Sequence, residues 1–261
     1  MSILKRDFLP EELALECKAN GIDASIAIQA DQSEKETLFL LEMAGDNPHI
    51  AGVVGWIDLM AANVEERLQF FSRYKKLRGF RHIAQAEPDD RFLMQPDFVR
   101  GISRLREFGF TYDILVYPKQ LPAAIELVFK FPEQRFVVDH VAKPEIKSQD
   151  ITLWETHIRR IADSPNVYCK LSGLVTVADW RNWKPVDFKP YLDVVFDAFG
   201  ADRLMFGSDW PVCLVAASYA QMKQIIEEYV RGFTATQKEN IFGGNAIQFY
   251  DLKEFSNGLA A

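Results

Sequence analysis

The segment RLMFGSDWP carries the side chain best suited to acid–base chemistry. Asp209 follows a run of apolar residues there and directly precedes Trp210. Burial beside an aromatic ring would raise the pKa of this carboxyl group and suit it to proton transfer. The structural alternative is that Asp209 caps the next helix. Asp209 is therefore our first candidate for a catalytic group.

A second segment, DHVAKP, places His140 between two charged residues, Asp139 and Lys143, at the end of another apolar run. Imidazole groups in such surroundings transfer protons or bind metals near neutral pH. We predict a catalytic role for His140. His82 also ends an apolar run, where it either meets a substrate or bonds to a loop carbonyl group.

Further side chains near run ends are candidates for substrate contacts. Lys143 and Arg81 carry positive charge that would hold a carboxylate or hydroxyl group. The aromatic candidates either contact a substrate or belong to ordinary core packing, and they are Tyr112, Trp56 and Trp210.

Two other kinds of site are not favoured. No GxSxG segment occurs, so a serine nucleophile at Ser172 or Ser208 lacks its usual context. The three cysteines form no CxxC pair, which argues against both a disulfide framework and a cysteine-based zinc site. A reducing compartment fits this pattern.

The elements that would position these residues are apolar runs of strand length. They are near-continuous, as expected for parallel strands that are buried on both faces. The predicted strands cover residues 23–30, 49–59, 77–84, 111–117, 135–141, 166–171 and 203–209.

Segments with apolar residues at helical spacing lie between the predicted strands. They cover residues 34–44, 64–74, 96–108, 122–131, 152–163, 189–199 and 219–230. One helix per strand predicts an α/β fold with a parallel sheet, and favours a (β/α)8 TIM-barrel-like fold over a doubly wound sheet. No GxGxxG segment follows any strand. We predict one domain over residues 1–261.

The strand count is one short of the eight in a closed barrel. A helix over residues 10–20, ended by Gly21, precedes the first predicted strand, although a barrel begins with a strand. We therefore expect the first strand to be missing from this chain. The resulting slot would be open to solvent, filled by another segment or covered in a homo-oligomer.

Composition excludes several classes of partner. The formal net charge is −7, from 37 acidic and 30 basic residues, which disfavours nucleic acid. No apolar run approaches the length of a membrane span, and the first 20 residues lack a signal-peptide core. We expect a cytoplasmic protein that binds neither nucleic acid nor membrane.

Five stretches together resemble the amidohydrolase-related family of sugar-lactone hydrolases. They are GVVGWIDL, LRGFRHIAQAEPDDRFL, FVVDHVAKP, NVYCKLSGL and RLMFGSDWPV. The resemblance implies a (β/α)8 barrel that opens a lactone by attack of water on the ester carbonyl. It also implies that Asp209 is a general base or metal ligand and that His140 is the histidine after the sixth barrel strand. Arg81, His82 and Tyr112 match positions that commonly meet the lactone or its carboxylate.

The chain departs from this family in one respect. Members usually begin with a strand that ends in His-x-His and helps bind a divalent metal, and no such pair occurs here. Of the family's metal ligands, His140 and Asp209 remain. We therefore expect one divalent metal, zinc or manganese, to be bound weakly or not at all by this chain.

The main prediction is a lactone hydrolase of sugar-acid catabolism that uses Asp209 as general base and takes a lactone or related carboxylate. The alternatives are an amidohydrolase-like decarboxylase, which would need a well-formed metal site, and a non-catalytic barrel that lost its first strand. An in-frame His-x-His upstream of Met1 would favour the enzyme.

Overall fold

The computed structural model describes residues 2–252, in which seven parallel strands form one sheet. The strands pair in chain order, each with the next. Every predicted strand is confirmed. They are β1 (Ser25–Ile28), β2 (Ile50–Gly55), β3 (Leu77–His82), β4 (Thr111–Ile114), β5 (Phe136–Val138), β6 (Val167–Leu171) and β7 (Leu204–Phe206).

Helices alternate with these strands. The predicted ones are confirmed as α1 (Pro10–Ala19), α2 (Glu34–Asp46), α3 (Val64–Phe71), α4 (Pro96–Leu105), α5 (Leu121–Lys130), α6 (Thr152–Ala162), α7 (Pro185–Phe199) and α8 (Tyr219–Tyr229). Two short helices, α9 (Ala235–Glu239) and α10 (Asn245–Phe249), follow without having been predicted. No helix within residues 2–252 is long and apolar enough to cross a membrane.

Helix α7 begins four residues earlier than predicted. Pro185 occupies its first position, where a missing N–H group costs nothing. The Asp187 carboxylate accepts a hydrogen bond from the Lys184 backbone N–H at 2.8 Å and so closes this helix end. A start at residue 189 would put Pro190 in the first turn, whereas Pro190 lies inside the helix.

The sheet has the curvature and connections of a (β/α)8 barrel that lacks one strand. Within the described residues, β1 and β7 do not pair with each other, so the sheet has two edges. Helix α1 precedes β1, in the place of a helix that would follow an earlier strand. The fold prediction, including the absence of the first strand from residues 2–252, is confirmed.

Alternate side chains of each strand point to opposite faces of the curved sheet. In β4, the Tyr112 ring packs on the outer face between Phe98 and Phe136, at centroid distances of 5.9 and 6.3 Å. The neighbouring Asp113 points inward and reaches Lys170 of β6, across the intervening strand. Only side chains that face the interior of a curved sheet make such contacts.

The amino end of the barrel interior is filled by the C-terminal part of the described chain. Phe249, Tyr250 and Leu252 pack against strand residues that include Val137 and Met205. This apolar layer closes the interior from below, as barrel interiors are usually packed rather than hollow.

Charged side chains form the layer above. Arg81 pairs with the Asp139 carboxylate at 2.8 Å, and Lys170 contacts Asp113 at 2.5 Å and Asp139 at 2.7 Å. The Tyr250 hydroxyl donates to Asp113 at 2.8 Å. We call these five residues the interior network. Its two cations balance its two carboxylates, which is the condition under which buried charges are tolerated.

The pKa values within the interior network reflect this pairing. Burial raises the pKa of Asp139, but the charges of Lys170 and Arg81 outweigh burial and hold it well below its usual range. Burial raises the pKa of Asp113 above its ordinary value despite the attraction of Lys170. Burial alone would lower the pKa of Lys170, yet the two carboxylates raise it. Lys170 therefore stays charged.

Replacing Tyr250 by phenylalanine should lower the free energy of unfolding by about 2 kcal/mol, because a hydrogen bond to a buried charged group is lost. The change is measured from the urea midpoint. Tyr229→Phe is the matched control, since its hydroxyl donates to Asp193 at the surface at 2.9 Å. Equal losses in the two variants would show that the buried hydrogen bond contributes no more to the free energy of unfolding than the exposed one.

Candidate active site

Three polar side chains meet at the carboxyl ends of β5, β6 and β7, which we call the mouth. His140 follows β5, Ser172 follows β6 and Asp209 follows β7. His140 Nε2 lies 3.7 Å from Asp209 Oδ1, and His140 Nδ1 lies 2.8 Å from the Ser172 hydroxyl oxygen. The structure thus brings the two predicted catalytic residues together.

The backbone that carries His140 and Lys143 adopts an unusual conformation. Residues 140, 141, 142 and 143 have φ angles of 53, 48, 58 and 47°, in the left-handed region. Asp209 also has a positive φ, of 55°. Non-glycine residues rarely adopt this conformation, and clusters of them are typical of functional sites. We call residues 140–143 the left-handed turn.

A glycine gives the His140 ring its space. Gly173 has a φ of +64°, and a Cβ atom built there would lie 2.7 Å from both Cβ and Cγ of His140. Carbon atoms do not approach so closely. Gly173 therefore allows β6 and its following loop to pass directly against the imidazole group.

The mouth holds a neutral imidazole near a lysine and a carboxylate. Burial lowers the pKa of His140, and the negative charges of Asp209 and Asp139 only partly oppose this shift. Burial also lowers the pKa of Lys143, again opposed by Asp209 and Asp139. At neutral pH, His140 is therefore predominantly uncharged.

Arg81, predicted to hold a carboxylate or hydroxyl group of the substrate, faces the interior and is already paired. Its guanidinium group contacts Asp139 and the backbone carbonyl of Gln29, and its side chain is only 10% exposed. The Gln29 amide in turn donates to the Arg81 carbonyl at 2.9 Å. Arg81 lies beneath the mouth rather than free within it.

His82 and Trp56 lie together on the outer face. The Trp56 indole N–H donates to His82 Nδ1 at 3.3 Å, and His82 Nε2 lies 2.7 Å from Glu87. The His82 ring stacks on Phe92 at 4.6 Å. The structure does not bring His82 or Trp56 to Asp209, because successive residues of β3 face opposite sides and Arg81 takes the inner one.

Tyr112 is also not at the mouth. Its side chain is fully buried in the outer layer, and burial raises the pKa of its hydroxyl above the ordinary value. Its position in β4 was predicted, but the face it takes was not: the inward residue is Asp113. Placing Tyr112 among the substrate contacts is therefore not supported by this geometry.

Tyr112→Phe should change kcat/KM for the predicted lactone opening by less than about threefold, because a hydroxyl remote from the mouth adds nothing to transition-state binding. Tyr112→Ala should lower the free energy of unfolding by about 3–5 kcal/mol, the usual loss for a buried aromatic ring. Steady-state kinetics and urea unfolding test the pair. A large loss of kcat/KM in Tyr112→Phe would place the hydroxyl near the substrate.

Trp210 lines the edge of the mouth beside Asp209. Its ring meets Phe8, from the segment before α1, edge to face at 5.3 Å. The Trp210 backbone N–H donates to the Ser208 hydroxyl at 3.2 Å. Trp210 thus joins the loop after β7 to the N-terminal part of the described chain.

A cavity of about 660 Å³ lies beside the left-handed turn, on the side of β4 and β5, and its lining does not include His140, Ser172 or Asp209. Loops after β4, β5 and β6 form its walls, and Lys143 is among its lining residues. The Lys143 ammonium group also lies 5.7 Å from the centre of the Tyr117 ring, another lining residue. Lys143 therefore borders this cavity, while the charge of Asp209 acts on its ammonium group.

Ser172 is the residue at the mouth that sequence reasoning undervalued. Nothing in its sequence context marks it, since no nucleophile motif surrounds it. The available signal was its position: it follows β6, which pairs with the strand before His140. Adjacent parallel strands place their end residues side by side.

The described side chains do not complete a metal site. Catalytic zinc usually takes three protein ligands and a water molecule. In residues 2–252, no group of three or more histidine, cysteine, aspartate or glutamate residues could hold one ion. His140 and Asp209 together supply only two ligand side chains.

Comparison with known proteins places the chain among related enzymes. The family model for amidohydrolase matches residues 2–252. An L-fucono-1,5-lactonase from Burkholderia multivorans is 42% identical, over 97% of this chain and 89% of that protein. An L-fucono-1,5-lactonase from Burkholderia ambifaria is 33% identical, over 97% of this chain and 88% of that protein.

A solved structure supports the same relationship. The crystal structure of an amidohydrolase from Burkholderia multivorans with bound zinc has a TM-score of 0.92 and 42% identity to this chain. The match covers 96% of this chain and 91% of that one.

Proposed function

Because the chain belongs to the amidohydrolase family, we propose that it opens a sugar-acid lactone by attack of water on the ester carbonyl. The observation that carries this proposal is the pair formed by His140 and Asp209, 3.7 Å apart at the mouth. The lactonase names of two relatives support the choice of substrate class.

Asp209 activates the water. The separation of 3.7 Å between His140 and Asp209 exceeds the length of a direct hydrogen bond. An oxygen atom of water or substrate can therefore bridge the two groups. In the first step, the Asp209 carboxylate accepts a proton from water as the water oxygen bonds to the lactone carbonyl carbon.

His140 and Lys143 stabilise the charge that develops on the carbonyl oxygen. We assign the ring proton of neutral His140 to Nε2, which faces the Asp209 carboxylate, so that Nδ1 accepts from the Ser172 hydroxyl. The Nε2–H group then donates to the oxyanion, and the Lys143 ammonium group adds positive charge beside it.

The second step breaks the ring. The tetrahedral intermediate collapses, the bond between the carbonyl carbon and the ring oxygen breaks, and the ring oxygen takes the proton that Asp209 received. The product is an open-chain hydroxy acid. Its carboxyl group ionises at neutral pH and releases one proton for each lactone opened.

The cavity beside Lys143 supplies room for the substrate. A volume of about 660 Å³ falls within the range of small-molecule sites. With the ester carbonyl between His140 and Lys143, the hydroxylated part of a sugar lactone extends toward Tyr117. Trp210 bounds the other side of the mouth.

These steps are assigned to side chains of this chain alone. His140 and Asp209 give too few ligands for a catalytic metal among the described residues. Zinc bound to the amidohydrolase of Burkholderia multivorans makes metal addition a necessary arm of the assay.

The proposal is tested by proton release at pH 7 over a panel of lactones. The panel contains L-fucono-1,5-lactone, L-rhamnono-gamma-lactone and their D enantiomers, each assayed after chelation and with added zinc. We expect at least one L lactone to open faster than its spontaneous rate. If no lactone in either arm exceeds the spontaneous rate, the proposed function is wrong.

A further inference from the structure

The interior network lies directly beneath the left-handed turn. Asp139 is the last residue before this turn, and it is fully buried. One of its carboxylate oxygens, Oδ2, contacts Arg81 at 2.8 Å, and the other, Oδ1, contacts Lys170 at 2.7 Å. Each oxygen is thus held by a different cation, so the carboxylate plane has one orientation.

The left-handed turn needs such an anchor. Four successive non-glycine residues with positive φ store conformational strain that surrounding contacts must offset. Besides the contact of the His140 ring with Ser172, two hydrogen bonds hold the backbone of the turn: the Trp154 indole N–H donates to the Val141 carbonyl at 2.7 Å, and the Lys143 N–H donates to the His140 carbonyl at 2.8 Å. At its start, the turn follows Asp139, whose carboxylate pairs with Arg81 and Lys170.

We propose that Lys170 is a positioning residue for the reaction: by tying Asp139 to Asp113 and Tyr250, it holds the left-handed turn and hence His140 and Lys143. As a statement about catalysis, this inference rests on the proposed lactone hydrolysis. Lys170 is suited to the role because it links Asp139 to strand β4 and to the C-terminal segment, whereas Arg81 links it only to β3 and the residue after β1.

Lys170 acts through Asp139 rather than on the substrate. Its ammonium group contacts carboxylates of β4 and of the residue after β5, and its side chain is only 11% exposed. Loss of Lys170 would leave Asp139 held by Arg81 alone and free to rotate. Small displacements of catalytic groups are known to reduce rates by about 100-fold.

The test uses a double variant, Lys170→Met with Asp113→Asn. Lys170→Met alone would leave two buried carboxylates facing one arginine, and such a protein is at risk of not folding. The double variant removes one charge of each sign and keeps a hydrogen-bond partner for Tyr250. We expect kcat to fall about 10- to 100-fold while KM changes by less than about threefold.

The matched control removes a lysine–aspartate pair from the surface. Lys189 and Asp193 form an ion pair at 2.7 Å on α7, and the Lys189 side chain is 63% exposed. The double variant Lys189→Met with Asp193→Asn should keep kcat within about twofold of the wild type.

Amide hydrogen exchange gives a readout that does not need activity. In the Lys170/Asp113 variant, we expect amides of residues 140–143 to exchange at least about tenfold faster, while peptides from α7 keep their wild-type rates. A variant that is merely less stable overall would show faster exchange in both regions.

Three results would overturn the inference. They are unchanged exchange in the left-handed turn, faster exchange there without a fall in kcat, and a rise in KM with kcat unchanged. The last would mean that Lys170 binds substrate directly. If the wild type opens no lactone, the proposed function fails, and exchange in residues 140–143 still decides whether Lys170 holds the turn.

Discussion

Asp209→Asn is expected to slow lactone opening at least about 100-fold, because an amide cannot accept the proton of the attacking water. The substitution keeps the size of the side chain, and the Asp209 carboxylate lies 3.7 Å from His140 Nε2, beyond the length of a direct hydrogen bond. The loss should therefore appear in kcat with the unfolding midpoint nearly unchanged. Proton release at saturating lactone measures it.

Asp58→Asn is the matched control for this substitution. Asp58 also follows a strand of the sheet, but it is exposed and accepts a hydrogen bond from the Met60 backbone N–H at 2.9 Å. Its variant should retain kcat within about twofold. A loss below tenfold in a folded Asp209→Asn protein would assign the general base to another residue.

Gly173→Ala is expected to lower kcat about as much as Asp209→Asn, because the added methyl group displaces His140. The added Cβ would lie 2.7 Å from Cβ and Cγ of His140 and 2.8 Å from its Nδ1, where the Ser172 hydroxyl now contacts it. The imidazole must move or tilt, and its Nε2–H no longer points at the oxyanion. We expect kcat to fall about 100-fold.

Gly21→Ala is the control that separates the steric contact with His140 from the cost of placing an alanine at a positive φ. Gly21 has the same φ as Gly173, +64°, but no atom lies within 4 Å of a Cβ built there. Both variants should lose about 1 kcal/mol of folding free energy from the left-handed conformation. Only Gly173→Ala should lose activity, and equal kcat in the two variants would remove His140 from the reaction.

Sequence patterns were sufficient to predict the helices and strands and to place His140 and Asp209 near each other at strand ends. The strands could be predicted because buried parallel strands are continuous apolar runs. His140 and Asp209 could be predicted because each directly follows such a run and because strand ends converge at the mouth.

The same continuity explains what could not be predicted. A run that is apolar on both faces has no alternation to show which residues point inward, so Tyr112 and Asp113 could not be told apart. The outer positions of His82 and Trp56 follow from the same ambiguity in β3 and its neighbour.

Ion pairs between strands on different sides of the barrel interior could not be predicted from the sequence either. Lys170 and Asp113 are 57 residues apart in the chain, and nothing local indicates that they touch. Their charges look like interruptions of apolar strands until the curved sheet brings non-neighbouring strands face to face. Buried charged side chains are tolerated when they pair with buried charges of opposite sign, and the sequence does not show these pairs.

The contact between Tyr250 and Asp113 affects when the protein can finish folding during its synthesis. The two residues are 137 positions apart, and Tyr250 leaves the ribosome only after all seven described strands have been synthesised. Until then, the Asp113 carboxylate lacks one hydrogen-bond donor and the amino end of the interior lacks its apolar filling. Nascent chains should therefore remain sensitive to protease until the segment that carries Tyr250 has emerged. Contacts between residues so distant in sequence form late in folding.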